Sequence, residues 1–342
     1  MNGYQRIKTA MNGRWPDRRP VMLHNFMPAA REAGMTQAEY RSSAENIARA
    51  HIEAAEKYDL DGVFVDVDTS VTGSAMGVPT EYPEDEPARC HGGLLENLED
   101  VDKLEPVDFS KSDHVTRWVE AVGMIKEHFG DEKYVRGNCD QLPFSTASMV
   151  RTPQVWMIDL ATPEKEEYVF KLLDYCLDGC RQFSTLVALA GADMLSNGDS
   201  PAGPAMISPA MYRKYAFSYE KAIADLVHEH GKDYLIHICG DTGAILEDML
   251  ETGADAFDID YKTDIHQIHR VFGQKVVLSG IIDPSDVLAL GTPELVEKKT
   301  MEMLDVYKDS PRLIVCSGCA LPSNTPEENM RTMIKTARNY NP

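Results

Sequence analysis

Short runs of apolar and β-branched residues recur along this chain, and each is followed by a longer stretch whose apolar positions fall at helical spacing. The strand-like runs cover 20–24, 62–68, 133–138, 193–196, 234–239, 254–259, 275–281 and 313–316. Helical segments are predicted between them over 36–58, 113–129, 141–159, 163–190, 208–230, 242–252, 264–272 and 292–308, with a last helix from Thr325. Their starts carry recognisable signals. Thr36 and Glu39 form a Thr-x-x-Glu capping box, Pro163-Glu164 is a favourable first turn, and Thr325-Pro326-Glu327-Glu328 opens the final helix. Eight strands alternating with helices over 342 residues fit a single-domain α/β fold, a (β/α)8 TIM barrel spanning 1–342, better than an open doubly wound sheet. A stretch rich in Pro, Gly and acid at about 70–113 interrupts the alternation and is expected to lie, with short helices, over one end of the fold.

Composition narrows the function classes. With 55 acidic against 34 basic residues, a net charge of −21 argues against nucleic acid or an anionic membrane as partner. The first fifteen residues lack the apolar core of a signal peptide, and no window approaches the ~20 apolar residues of a membrane span, so a cytoplasmic location is expected. Seven cysteines in a reducing compartment point to metal binding or plain burial rather than to a disulfide framework.

The chemistry concentrates at the run Tyr234-Leu235-Ile236-His237-Ile238-Cys239-Gly240-Asp241. Side chains two apart on a strand share a face, so His237 and Cys239 present an imidazole and a thiol together. Both are zinc ligands, although two buried residues at a strand end would read the same way. A second thiol run, Cys316-Ser317-Gly318-Cys319, ends the last strand-like segment. Strand ends converge on one mouth in a barrel, so Cys319 can meet His237 and Cys239 despite some eighty intervening residues. Three such ligands would leave a catalytic zinc one open position, whereas Cys316 as a fourth would close a structural site, and Cys316-x-x-Cys319 also allows a redox pair.

The run from His237 through Asp260, the turn Leu278-Ser279-Gly280-Ile281-Ile282-Asp283-Pro284 and the block from Cys316 to Asn329 together resemble the uroporphyrinogen decarboxylase superfamily. The likeness spans Arg6 to Ala337 and is greatest to the zinc-dependent branch of corrinoid-linked methyltransferases. That resemblance implies one zinc held by His237, Cys239 and Cys319. It further implies methyl transfer between a small substrate, either a methoxylated aromatic or other methyl donor or a thiol acceptor, and the cobalt of a corrinoid. The corrinoid would ride on a partner protein, since this chain has no D-x-H-x-x-G segment. Asp68 falls where the decarboxylase keeps its catalytic Asp; after the sixth strand relatives often carry an acidic or His residue, a further zinc ligand, where this chain has Tyr261, with Asp258 and Asp260 nearby as substitutes. Asp68 and Asp260 are expected to carry catalytic roles. A homodimer is compatible with this reading. The alternative is a metal-free decarboxylase of a porphyrinogen-like acid, but residues 24–31 lack the arginine-rich character that such a substrate calls for. Ile281 and Ile282, with Phe26, Met27, Phe144 and Met149, are expected to offer apolar packing for a ring, which favours the demethylating direction.

Overall fold

The apolar runs form strands wherever β-branched and aromatic residues cluster, and the computed structural model describes residues 1–66 and 68–340. In chain order these strands are β1 (Gly62–Val65), the two-residue β2 (Thr80–Glu81) and β3 (Arg89–Cys90), β4 (Tyr134–Gln141), β5 (Met194–Gly198), β6 (Asp233–Ile238), β7 (Ala256–Ile259), β8 (Val277–Ile282) and β9 (Leu313–Ser317). Seven pair in parallel in the order β1-β4-β5-β6-β7-β8-β9, and β2 and β3 make a separate antiparallel pair. The predicted first strand, 20–24, closes the ring as a single bridge, Val21 to Val315. On one side Met22 N–H donates to the Val315 carbonyl (3.1 Å); on the other, Asp61 N–H donates to the Val21 carbonyl (3.0 Å). The Asp61 carboxylate accepts the Val21 N–H (2.9 Å), so a side chain replaces a ladder partner and the segment is bonded on both sides without a long strand. The architecture is the (β/α)8 barrel that the alternation predicts. The strand expected over 62–68 stops at Val65, and Val67 lies outside the described residues.

Period-two alternation sorts the barrel interior into levels. At the floor, Met22, Phe64, Tyr134, Met194, Leu235, Ala256, Val277 and Ile314, one from each of the eight staves, pack with Ile7 of the N-terminal helix Gly3–Met11. Two positions further along, inward residues turn polar, with Arg136, Ser196, His237 and Asp258 replacing the hydrocarbon. His237 and Asp258 are register partners across β6 and β7.

Several predicted helices divide. The 36–58 segment is Gln37–Tyr40 followed by Ala44–Lys57, restarted by the Ser43 side chain capping Asn46 N–H. The 141–159 segment loses its first residue to β4 and splits into Pro143–Arg151 and Pro153–Leu160, because Thr152 takes φ 74° ahead of a proline. The helices Gly3–Met11 and Phe26–Glu32 have no counterpart among the predicted elements. The 70–113 excursion holds the short helix Val71–Ala75, the β2–β3 pair and two 3-10 turns. Among the described residues no helix is long and apolar enough to cross a membrane.

Candidate metal centre

His237 on β6 and Cys239, one residue past its end, reach the same space because they lie two apart along the chain, and Gly240, at φ 90°, turns the chain immediately afterwards. His237 Nε2 lies 3.0 Å from Cys239 Sγ, and Cys239 Sγ lies 3.9 Å from Cys319 Sγ. The three ligand atoms fall within 4.8 Å of one another, a spacing suited to one tetrahedral ion with N and S donors. The other imidazole nitrogen, Nδ1, donates to the Asp258 backbone carbonyl at 2.9 Å, which aims Nε2 at the thiols. The Asp258 carboxylate, 1% exposed, sits beside the ring with Oδ1 3.8 Å from Nδ1; it is held by Arg136 at 3.3 Å.

The local charges reinforce one another. The Cys319 thiol donates to Cys239, and this bond together with the His237 charge holds the Cys239 thiol down to about 3 despite burial. Burial opposes a charge on His237, but the Cys239 thiolate outweighs it and raises the imidazole to about 10. Cys319, donating to that thiolate and itself buried, is pushed up. The thiolate is the form of cysteine that binds zinc, and these neighbours favour it at Cys239. Cys316 stands apart: it is fully buried within β9, burial pushes its thiol up to about 12, and among the described residues it is no member of the three-ligand cluster.

Beside the cluster is a cavity of about 220 Å³. Its apolar wall includes Phe26, Met27, Phe64 and Ala320, and its polar wall includes His24, Asp66, Arg136, Asn138 and Asp140. Asp66 accepts from His24 Nε2 and from Asn138 Nδ2. Sequence reasoning did not single out His24, Arg136 or Asn138, and it named Asp258 only as a substitute for a further ligand; the readable signal was an arginine in the middle of a core strand run, Tyr134-Val135-Arg136-Gly137.

The other expected site residues have different surroundings. Asp68 accepts from Arg41 Nε at 2.7 Å and from Ala88 N–H at 2.9 Å, and Arg41 also donates to the Pro83 carbonyl at 2.6 Å. Asp260 accepts from Gly240 N–H at 2.7 Å and from Lys262 N–H at 3.1 Å. Neither carboxylate is among the residues lining the cavity. Of the expected apolar set, Phe26 and Met27 line it. Phe144 packs edge-on against Trp156 in the core. Ile281 and Ile282 line a neighbouring groove of about 550 Å³ with Tyr261 and His266.

Comparison with known proteins places this chain among relatives. The family model for uroporphyrinogen decarboxylase (URO-D) matches residues 3–340. A methylcobamide:CoM methyltransferase, MtbA, of Methanosarcina acetivorans is 31% identical over 72% of this chain and 70% of its own length. The uroporphyrinogen decarboxylase of Parasynechococcus marenigrum is 25% identical over 96% of this chain and 94% of its own. In three dimensions the chain superposes on a methyltransferase from Methanosarcina mazei with a TM-score of 0.88 at 21% identity, covering 98% of each.

Proposed function

Because the chain belongs to the uroporphyrinogen decarboxylase family, we propose that it is the zinc-dependent methyltransferase kind of member, moving a methyl group between a small substrate and the cobalt of a corrinoid carried by a partner protein. The observation that supports this reading is the convergence of His237, Cys239 and Cys319 within 4.8 Å beside a cavity, with Cys316 held elsewhere. One imidazole and two thiols fit zinc, and three protein ligands leave a position for substrate. When bound, zinc supplies Lewis acidity toward a substrate heteroatom. The chain's own residues do the rest. Asp258 orients His237 through its carbonyl, and Arg136 neutralises the Asp258 carboxylate. The apolar wall of Phe26, Met27, Phe64 and Ala320 suits a methoxylated aromatic and excludes water from it. We assign Asp68 and Asp260 to positioning, the first fastening the excursion beside the cavity and the second bracing the turns after β6 and β7.

The decarboxylase alternative fares worse on charge. Arg136 is the one lysine or arginine among the described residues lining the cavity, and it is already paired with Asp258, so a polycarboxylate would meet no unpaired lysine or arginine there. Metal analysis and single-turnover transfer test the proposal. Purified protein is expected to carry one zinc, lost in Cys239→Ala and kept in Cys316→Ala, and to methylate reduced corrinoid from a methyl ether or to demethylate methylated corrinoid onto a thiol. Zinc that persists in Cys239→Ala but disappears in Cys316→Ala would refute it.

A further inference from the structure

Beyond the three ligands, the end of β6 is held by the loop that follows β5. One residue past β5, Asp199 N–H donates to the His237 carbonyl at 2.8 Å. At Cys239 the backbone N–H donates to the Ser200 hydroxyl at 3.1 Å, so a side chain stands in for a strand carbonyl, as Asp61 does at the first stave. Two observations fix Ser200 there. Asp199 Oδ1 accepts from Ser145 N–H at 2.9 Å and from Ser145 Oγ at 2.6 Å, which ties the residue before Ser200 to the helix Pro143–Arg151. Three residues on, a Cβ at Gly203 would lie 2.9 Å from the Ile238 side chain and 3.4 Å from the Cys239 carbonyl, so the 3-10 turn Ser200–Ala202 is pressed onto the ligand strand.

A hydroxyl has one proton to give as well as lone pairs to accept with. Because Ser200 Oγ accepts the Cys239 N–H, its proton is left to donate, and the Cys239 sulfur takes a hydrogen bond from the Ser200 side chain. Ser200 also lines the cavity, together with His237, Cys239 and Cys319. We propose that Ser200 is a positioning residue of the metal centre: its single hydroxyl braces the Cys239 backbone and donates to the Cys239 sulfur, which aims that ligand and draws charge from it. A thiolate relieved of charge gives less to a bound zinc, which keeps the ion a stronger Lewis acid toward the molecule in its open position. The inference rests on the reading of His237, Cys239 and Cys319 as one zinc site, and not on the direction of methyl transfer.

The zinc protein, together with a form reconstituted with cobalt(II), whose thiolate-to-metal absorption reports the charge on sulfur, tests it. Ser200→Ala is expected to bind zinc about tenfold to a hundredfold more weakly in chelator competition and to move the sulfur-to-cobalt band to lower energy. Ser200→Thr, which keeps the hydroxyl, should hold both at wild-type values. Ser200→Val has the shape of that threonine without the hydroxyl and replaces the Ala variant if that one does not fold. A band that stays in place in Ser200→Ala or Ser200→Val overturns the proposal even where zinc affinity falls, because bracing of the backbone alone leaves the charge on sulfur unchanged. A wild-type cobalt(II) form without any thiolate band would refute the zinc reading itself, and the proposal with it. Methyl transfer that fails with every ether and thiol, while the band shifts as expected, would sink the methyl-transfer reading and support the role of Ser200.

Discussion

Arg136 and Asp258 show how much of the site depends on residues that never touch a ligand. Their side chains are 2% and 1% exposed, so each charge is tolerable only because of the other. Replacing Arg136 by Met strands the Asp258 carboxylate beneath His237, and the expected cost is about 3–5 kcal/mol of folding stability. The double variant Arg136→Met/Asp258→Asn should recover most of that loss, because no unpaired charge remains. Urea unfolding of the three proteins measures the cycle, and equal losses in single and double variants would mean that the ion pair is not what the arginine supplies. The same pair explains what local sequence conceals. His237 and Cys239 were legible because strand periodicity puts them on one face, and Cys319 because barrel strands end together. Arg136 and Asp258 lie about 120 residues apart and meet only through inward-facing positions of β4 and β7, so no local spacing announces them. Asp66 and Asp68 were both visible as acids, but which of them faces the cavity depends on how the chain turns after β1.

At the level of elements, the excursion is fastened beside the cavity through acids that face it from the barrel. Asp140, at the end of β4, accepts from Thr72 N–H (2.7 Å) and Thr72 Oγ1 (2.9 Å) in the short helix Val71–Ala75. Burial lifts its carboxyl to about 7, although the Thr72 bonds act in the opposite sense. Its pKa is therefore higher folded than unfolded, so between roughly pH 4 and 7 the native state binds more protons than the unfolded one. The stability this group contributes is fully present below its unfolded pKa and is lost as the pH rises through about 7. A shift of that size corresponds to up to about 4 kcal/mol. Asp140→Asn, which cannot ionise, should therefore lose less stability than wild type between pH 5.5 and pH 8.5 in urea titrations. Parallel pH curves for the two proteins would show that Asp140 does not titrate in this range. The excursion was legible from its Pro, Gly and acid content. Its β2–β3 pairing was not, because strands of two residues leave no periodicity to read.

Across the whole molecule, the alternation of strand and helix sufficed for the barrel class, since seven staves are strands and the eighth is secured by Asp61. The N-terminal helix escaped prediction because its apolar positions are few and its packing partners come from all round the ring. That helix separates two duties that a barrel assigns to opposite ends: stability at the floor and chemistry at the mouth. Ile7 is fully buried among Met22, Phe64, Tyr134, Met194, Leu235, Ala256, Val277 and Ile314. Truncating it to Ala removes apolar contact and leaves a void that eight staves, fixed by their own hydrogen bonds, cannot collapse into, so the expected loss is about 2–5 kcal/mol. His237, Cys239 and Cys319 stand at the other end of the strands, so the folded fraction of Ile7→Ala should bind zinc with wild-type stoichiometry and affinity. Chelator competition on the folded protein, alongside its urea midpoint, measures the two effects separately. A fall in zinc affinity that tracks the fall in stability would show instead that the floor and the mouth respond as one cooperative unit, and the Phe64 ring, which packs in the floor and also lines the cavity, would be the first place to look for that coupling.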